Sequence, residues 1–194
     1  MMRLIAAVAG LCAALGVASA TTSAAAYQID PLTQELLPEP ENFGPRASAI
    51  ARETVTYAGP HKPGTIIVST KERRLYLVQP GGKALKYGIG VGREGFQWGG
   101  RQVVTRKAEW PGWTPPPQMR KRRPDLPKYM PGGPDNPLGA RALYLGSTLY
   151  RIHGSNEPET IGQAVSSGCI RMMNQDVIDL YKRVKVGTVV VVQR

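Results

Sequence analysis

From Thr65 onward, short runs of apolar residues alternate with Gly- and Pro-bearing turns, a pattern of strands and hairpins. TIIVS (65–69) is β-branched. In RRLYLVQ (73–79), Leu75 and Leu77 fall on one face and Tyr76 and Val78 on the other, and the short separation from the first run predicts a hairpin. Pro80-Gly81-Gly82 supplies the next turn, and KALKYGIGVG (83–92) runs back. Its Gly88, Gly90 and Gly92 alternate with Tyr87, Ile89 and Val91, which suits a strand where another backbone comes close or the sheet bends. RQVVTRKAEW (101–110), RALYLG (141–146), TLYRIHG (148–154) and TVVVVQ (188–193) read as further strands, the last of them buried. NQDVIDLYKRV (174–184) is the one clear helix. Asn174 is its expected cap and Asp176 sits in its first turn. Val177, Tyr181 and Val184 line one face with Ile178 beside them, and Lys182, Arg183 and Lys185 close the C-terminal end. These elements predict a mainly β, mostly antiparallel domain, a sandwich or partly closed barrel with one or two short helices.

Two stretches fall outside that pattern. Residues 27–64 are rich in Pro and hold only one short helix signal, near 47–53, so residues 21–63 read as a linker and 64–194 as the domain. Residues 111–140 form a long irregular stretch within the domain, of the kind that covers a binding cleft. Trp110, Trp113 and Tyr129 there have two readings, packing on a ligand or pinning the loop to the sheet. The run Arg120-Lys121-Arg122-Arg123 is either a solvated face or an attractor for anionic polymer.

The first residues set the compartment. Arg3 is followed by an apolar run from Leu4 to Ala18, and Ala18-Ser19-Ala20 fits a cleavage site, the signature of a secretory signal peptide over 1–20, with cleavage as late as 26. The run is shorter than the ~20 residues that a spanning helix needs, so no stable membrane span is expected after processing. The expected location is therefore an exported one, in the cell envelope. The chain carries a net charge of +11. Residues 27–59 hold Arg46 and Arg52 against five acids, so the basic excess lies in the domain. Export argues against nucleic acid as partner and favours an anionic envelope polymer. Two His and two Cys are too few for an ordinary zinc site or a disulfide framework, and nothing in the sequence calls for a metal or an organic cofactor.

Cleavage would remove Cys12 and leave Cys169 alone in an oxidising space. Such a thiol forms an intermolecular bridge, is buried and inert, or is a nucleophile. Its neighbours favour the last. The strand ending at Ile152 delivers His153, the base able to make a thiolate, with a backbone carbonyl as its expected orienter, because no Asp lies close in sequence. His61 sits in the Pro-rich stretch. Gly168 allows a substrate carbonyl to approach, its amide and that of Cys169 suit an oxyanion hole, and Arg171 can grip a carboxylate.

The stretch HGSNEPETIGQAVSSGCIRM resembles the signature of the L,D-transpeptidase (YkuD-type) catalytic domain, a His-Gly followed about sixteen residues later by Ser-His-Gly-Cys-x-Arg. IIVSTKERRLYLV, YGIGVG and GGPDNPLGARALYL are also similar to that family, so the resemblance covers roughly 64–194. It implies a β-sandwich acting on peptidoglycan stem peptides: the Cys attacks between the third residue of a tetrapeptide and the terminal D-Ala, and an amine, usually that of diaminopimelate, resolves the acyl-enzyme to a 3→3 cross-link. Some members join an envelope protein to the wall instead, and carbapenems acylate the same Cys. By position it implies Cys169 as nucleophile, His153 as base, the backbone of Gly168, Cys169 and Ser167 at the oxyanion hole, and Arg171, Gly154 and Ser155 toward substrate. Ser167 stands where the family has His, which puts any two-His mechanism in doubt. An L,D-carboxypeptidase and a non-catalytic wall-binding module are the alternatives.

Overall fold

The structure is a computed structural model that describes residues 50–194 and the backbone of 28–29 and 36–37. The proposed leader, Cys12 and most of the Pro-rich stretch lie outside the described residues. In chain order the strands are β1 (Gln28–Ile29), β2 (Leu36–Leu37), β3 (Glu53–Thr56), β4 (Ile66–Ser69), β5 (Arg74–Gln79), β6 (Lys83–Gly88), β7 (Val91–Gly92), β8 (Gly100–Glu109), β9 (Arg141–Leu145), β10 (Arg151–His153), β11 (Ala164–Ser166), β12 (Ile170–Arg171) and β13 (Val189–Gln193). Two helices, α1 (Pro117–Arg122) and α2 (Asn174–Arg183), complete the described elements with a single 3-10 turn at Pro158–Thr160.

The mainly β architecture agrees with the alternation in the sequence. Nine strands form one sheet in the order β12-β10-β9-β8-β13-β4-β5-β6-β3, while β1–β2 and β7–β11 make separate two-stranded pairs. The pairing is more mixed than expected: β4–β13, β10–β12 and β7–β11 are parallel, the rest antiparallel. The bridge between Gly90 and Arg171 brings the chain just before β7 against the far edge of the large sheet, so the sheet curls round its own core. Gly90 has to be glycine there, because a Cβ would lie 2.8 Å from the Thr160 carbonyl oxygen. The core is built from the inward residues of β4, β5 and β13 (Ile66, Val68, Leu75, Leu77, Val190, Val192), together with Leu143, Leu145 and Ile152 near the site.

Several expectations are corrected. The helix signal near 47–53 is not realised in its described part, since Glu53 opens strand β3, which pairs antiparallel with β6 at the sheet edge. Thr148–Tyr150 belong to a turn rather than a strand, held by Thr148 Oγ1 donating to the Leu145 carbonyl at 2.6 Å. Asn174 does not cap α2: Met173 is the capping residue and no side chain serves the cap. The Asn174 amide instead ties two loops together, accepting from Ala140 N–H at 2.9 Å and donating to the Ser155 carbonyl at 3.1 Å. On α2 the fully buried residues are Val177 and Leu180, with Val184 just beyond the last turn, while Tyr181 is only half-buried. Burying each such side chain is worth about 1.5–3 kcal/mol, and it seats α2 against β9 and β10, the strand that ends in His153.

Candidate active site

β10 and β12 lie side by side and parallel, with Ile152 opposite Ile170 and His153 opposite Arg171. That register is the origin of the site. It brings the end of β10 beside the turn 166–169, so His153, Arg171 and Cys169 line one cleft of about 380 Å³. Segment 111–140 supplies the opposite wall through Trp113, Pro116, Met119, Arg122 and Leu138.

His153 is 4% exposed. Its Nδ1 lies 2.6 Å from the Gly154 carbonyl oxygen, which can only accept, so Nδ1 carries the proton and Nε2 is the basic nitrogen. Burial, and after it the charge of Arg171, hold the imidazole's pKa down to about 3. The Cys169 thiol is half-buried and faces the Leu149 carbonyl at 3.7 Å. Burial pushes its pKa up, while the charge and hydrogen bonds of Arg151 and the charge of Arg171 oppose that. Burial thus favours the neutral form of both imidazole and thiol and disfavours a preformed thiolate–imidazolium pair.

The turn around the nucleophile is over-determined. Ser166 Oγ donates to the Cys169 carbonyl at 2.6 Å and accepts the Gly168 N–H at 3.2 Å. Gly168 has φ +105, and a Cβ on it would lie 2.6 Å from Tyr150 Cε1, so the position needs glycine for conformation and for space. Trp98 stacks on Tyr150 with ring centroids 4.5 Å apart and donates Nε1–H to the Gly168 carbonyl at 2.7 Å. Trp98, Tyr150, Ser166 and Arg151 were not singled out from the sequence. Trp98 and Tyr150 reach the turn from 70 and about 20 residues away, and only the fold joins them.

The other expected contacts divide. Ser167 lines the cleft, and Arg171 does so with Nη1 held by Glu157 Oε2 at 2.6 Å and Thr160 Oγ1 at 3.3 Å. Gly154 and Ser155 are buried behind the cleft rather than lining it. Gly154 orients His153 with its carbonyl, and Ser155 Oγ accepts the Glu157 N–H at 3.0 Å to shape the turn. The Gly168 amide, expected at an oxyanion hole, is engaged by Ser166 in this state. In the long segment, Trp110 is 9% exposed and its N–H donates to the Ala140 carbonyl, so it pins the loop. Trp113 pairs through two backbone hydrogen bonds with Met130 of the same segment, which ties the loop to itself rather than to the sheet, and it also lines the cleft. Tyr129 is exposed. The basic run lies in and just after α1, where Arg122 reaches the cleft and Arg123 pairs with Asp125 at 2.6 Å. No group of three or more metal-ligating side chains occurs among the described residues, and none of the described helices is long and apolar enough to cross a membrane.

A curled, mainly β sheet with a buried His and a Cys lining one cleft defines a class, and comparison with known proteins supplies the family. The model of the YkuD L,D-transpeptidase catalytic domain matches residues 63–192, and the chain belongs to that family. It is 44% identical over 130 residues to a probable L,D-transpeptidase, ErfK/SrfK, of Escherichia coli K12, and 40% identical over 132 residues to a second from that organism, YbiS. Each match covers 63% of this chain and 42% of the relative, so the chain aligns with less than half of the length of either. Among solved structures, a Brucella melitensis chain described as a probable carnitine operon oxidoreductase is 46% identical, with TM-score 0.50 over 71% of this chain and 90% of that one. L,D-transpeptidase 3 of Mycobacterium tuberculosis, 16% identical with TM-score 0.53 over 67% of this chain and 60% of that one, shares the fold.

Proposed function

We propose that this chain is a peptidoglycan L,D-transpeptidase working by cysteine acyl transfer. The observation that carries the reading is the parallel register of β10 and β12, which brings His153 and the Cys169 turn to one cleft. In the reaction, Cys169 Sγ attacks the carbonyl carbon of the third residue of a tetrapeptide stem as its proton passes to His153 Nε2. Because both groups rest neutral, the transfer accompanies attack rather than preceding it. The amides of Cys169 and Ser167 receive the oxyanion, and that of Gly168 joins them if Ser166 Oγ turns away. The C–N bond then breaks, His153 returns its proton to the departing D-Ala amine, and a thioester remains on Cys169. An acceptor amine, that of a neighbouring diaminopimelate, attacks the thioester and gives its proton to His153, the C–S bond breaks to leave a 3→3 cross-link, and His153 passes the proton to Sγ to restore the thiol.

Arg171 takes a stem carboxylate in place of the exposed Glu157. Segment 111–140 covers the thioester and keeps water from it. No cofactor enters this scheme. The leader over 1–20 sends the protein to the periplasm or envelope, where this substrate is found, and an envelope protein is the other acceptor class. Purified disaccharide-tetrapeptides test the reading. Cross-linked dimers with release of D-Ala support it, release of D-Ala without dimers makes the chain an L,D-carboxypeptidase, and no turnover leaves a wall-binding module.

A further inference from the structure

Among the described residues, one buried side-chain nitrogen or oxygen atom has no hydrogen-bond partner, and it is Nε of Arg151. A buried donor left unpaired is costly, and at a functional cleft it marks a place where a partner arrives during the reaction. Arg151 opens β10, two residues before His153, and lines the cleft with Cys169. Its guanidinium carbon lies 5.2 Å from the centre of the Tyr144 ring, on which Arg106 also rests at 3.7 Å.

The sulfur has a matching need. As a thiol it faces the Leu149 carbonyl, a group that can only accept. Once the proton has gone, that carbonyl repels Sγ, and the donors that reach it are the backbone N–H and the guanidinium of Arg151. The charged and titratable groups that line the cleft with it are Tyr150 just before β10, Arg151 and His153 from β10, Arg171 from β12 and Arg122 from α1, and no carboxylate lines the cleft. His153 is neutral, and Arg171 is paired with Glu157. Arg151 forms no ion pair among those that the described residues make.

We propose that Arg151 is a positioning residue for the nucleophile: as the proton leaves Cys169 during attack, Arg151 Nε–H donates to Sγ and steadies the negative charge developing there. The inference rests on Cys169 being the nucleophile, but its test needs no substrate. In the full chain, the rate at which iodoacetamide alkylates Cys169 is followed against pH by peptide mass spectrometry, which reads Cys12 separately. Arg151→Met is expected to move the midpoint upward by about one pH unit and to slow alkylation about tenfold at pH 7. Arg151→Lys keeps the charge and should recover most of the loss. Arg106→Met, which removes the other cation from the same ring, should leave the profile unchanged. Should Arg151→Met not fold, Arg151→Gln is read instead and must shift the midpoint in the same direction. A neutral variant that superimposes on the wild type overturns the proposal. So does Arg151→Lys behaving like Arg151→Met, or Arg106→Met shifting as far. A chain that turns over no stem peptide but shows the shift keeps this inference and loses the proposed function.

Discussion

The two walls of the cleft are built differently. On one side, the nucleophile turn is fixed from several directions at once: by the β10–β12 register, by both bonds of Ser166, and by the stacked Trp98–Tyr150 pair with its bond to the Gly168 carbonyl. On the other, α1 buries no residue, and segment 111–140 is braced mainly by its own bonds, with Asn136 bonding the Pro131 carbonyl at 2.7 Å and the Leu138 N–H at 2.9 Å, while Trp110 and Ala140 pair at its ends. The difference teaches where each job sits. Bond making needs atoms held within fractions of an ångström, so it lies on sheet edges. Covering a long substrate needs a wall that can adjust, so it lies on a loosely attached loop.

Substitutions that break the rigid wall should have the largest effects. His153→Ala removes the base and is expected to lower acyl transfer by about 10²–10⁴-fold, read by product formation in protein that a melting curve shows to be folded, with the midpoint lowered by the loss of a buried, hydrogen-bonded side chain. Gly168→Ala should come next. It forces a side chain into φ +105 and against Tyr150, so activity should collapse, whereas Gly133→Ala on the loop wall, with nothing within 4 Å of the added Cβ, should be silent in the same assay.

The buried imidazole also gives a pH signature. Unfolded, His153 binds its proton near its ordinary 6.5, but folded only near 3. The unfolded chain therefore holds the extra proton between those values. Stability from this group is full above about 6.5 and is lost as pH falls toward 3. His153→Gln should flatten the fall in melting temperature across that window. Asp176, which burial raises to about 6, slopes the opposite way but is present in both chains and cancels.

A milder cut on the rigid wall is Trp98→Phe. It keeps an aromatic ring over Tyr150 and deletes the bond to the Gly168 carbonyl, a loss of about 1 kcal/mol in holding the turn, seen as a several-fold lower kcat. The smallest effects belong to the loop wall: Met119→Ala and Arg122→Ala should raise KM for stem peptides a few-fold with kcat nearly unchanged.

Legibility in the sequence follows the same division. Strands such as β4 and β5 were legible because alternation is a local signal, and Cys169, His153 and Arg171 because their residue types and spacing carry chemistry on their face. β3 was not, because ETVT is short and follows a Pro-rich stretch with no periodicity around it. The parallel pairing of β10 with the two-residue β12 leaves no local trace either. Ser166, Trp98 and Tyr150 looked like ordinary strand and loop residues, since their roles arise only when the sheet curls. Asn174 had the features of a helix cap, yet Ala140 and Ser155 compete for its amide and win. Gly154 and Ser155 sit next to the base in sequence, which suggested substrate contact, but a strand end turns its following residues inward.

The most direct measurement is the intact mass of the purified protein after incubation with a carbapenem. A single adduct located on Cys169, absent in Cys169→Ala and slow to form in His153→Ala, is the result this account predicts. Unchanged mass in a folded wild-type protein, or an adduct that forms as fast without His153, would contradict it.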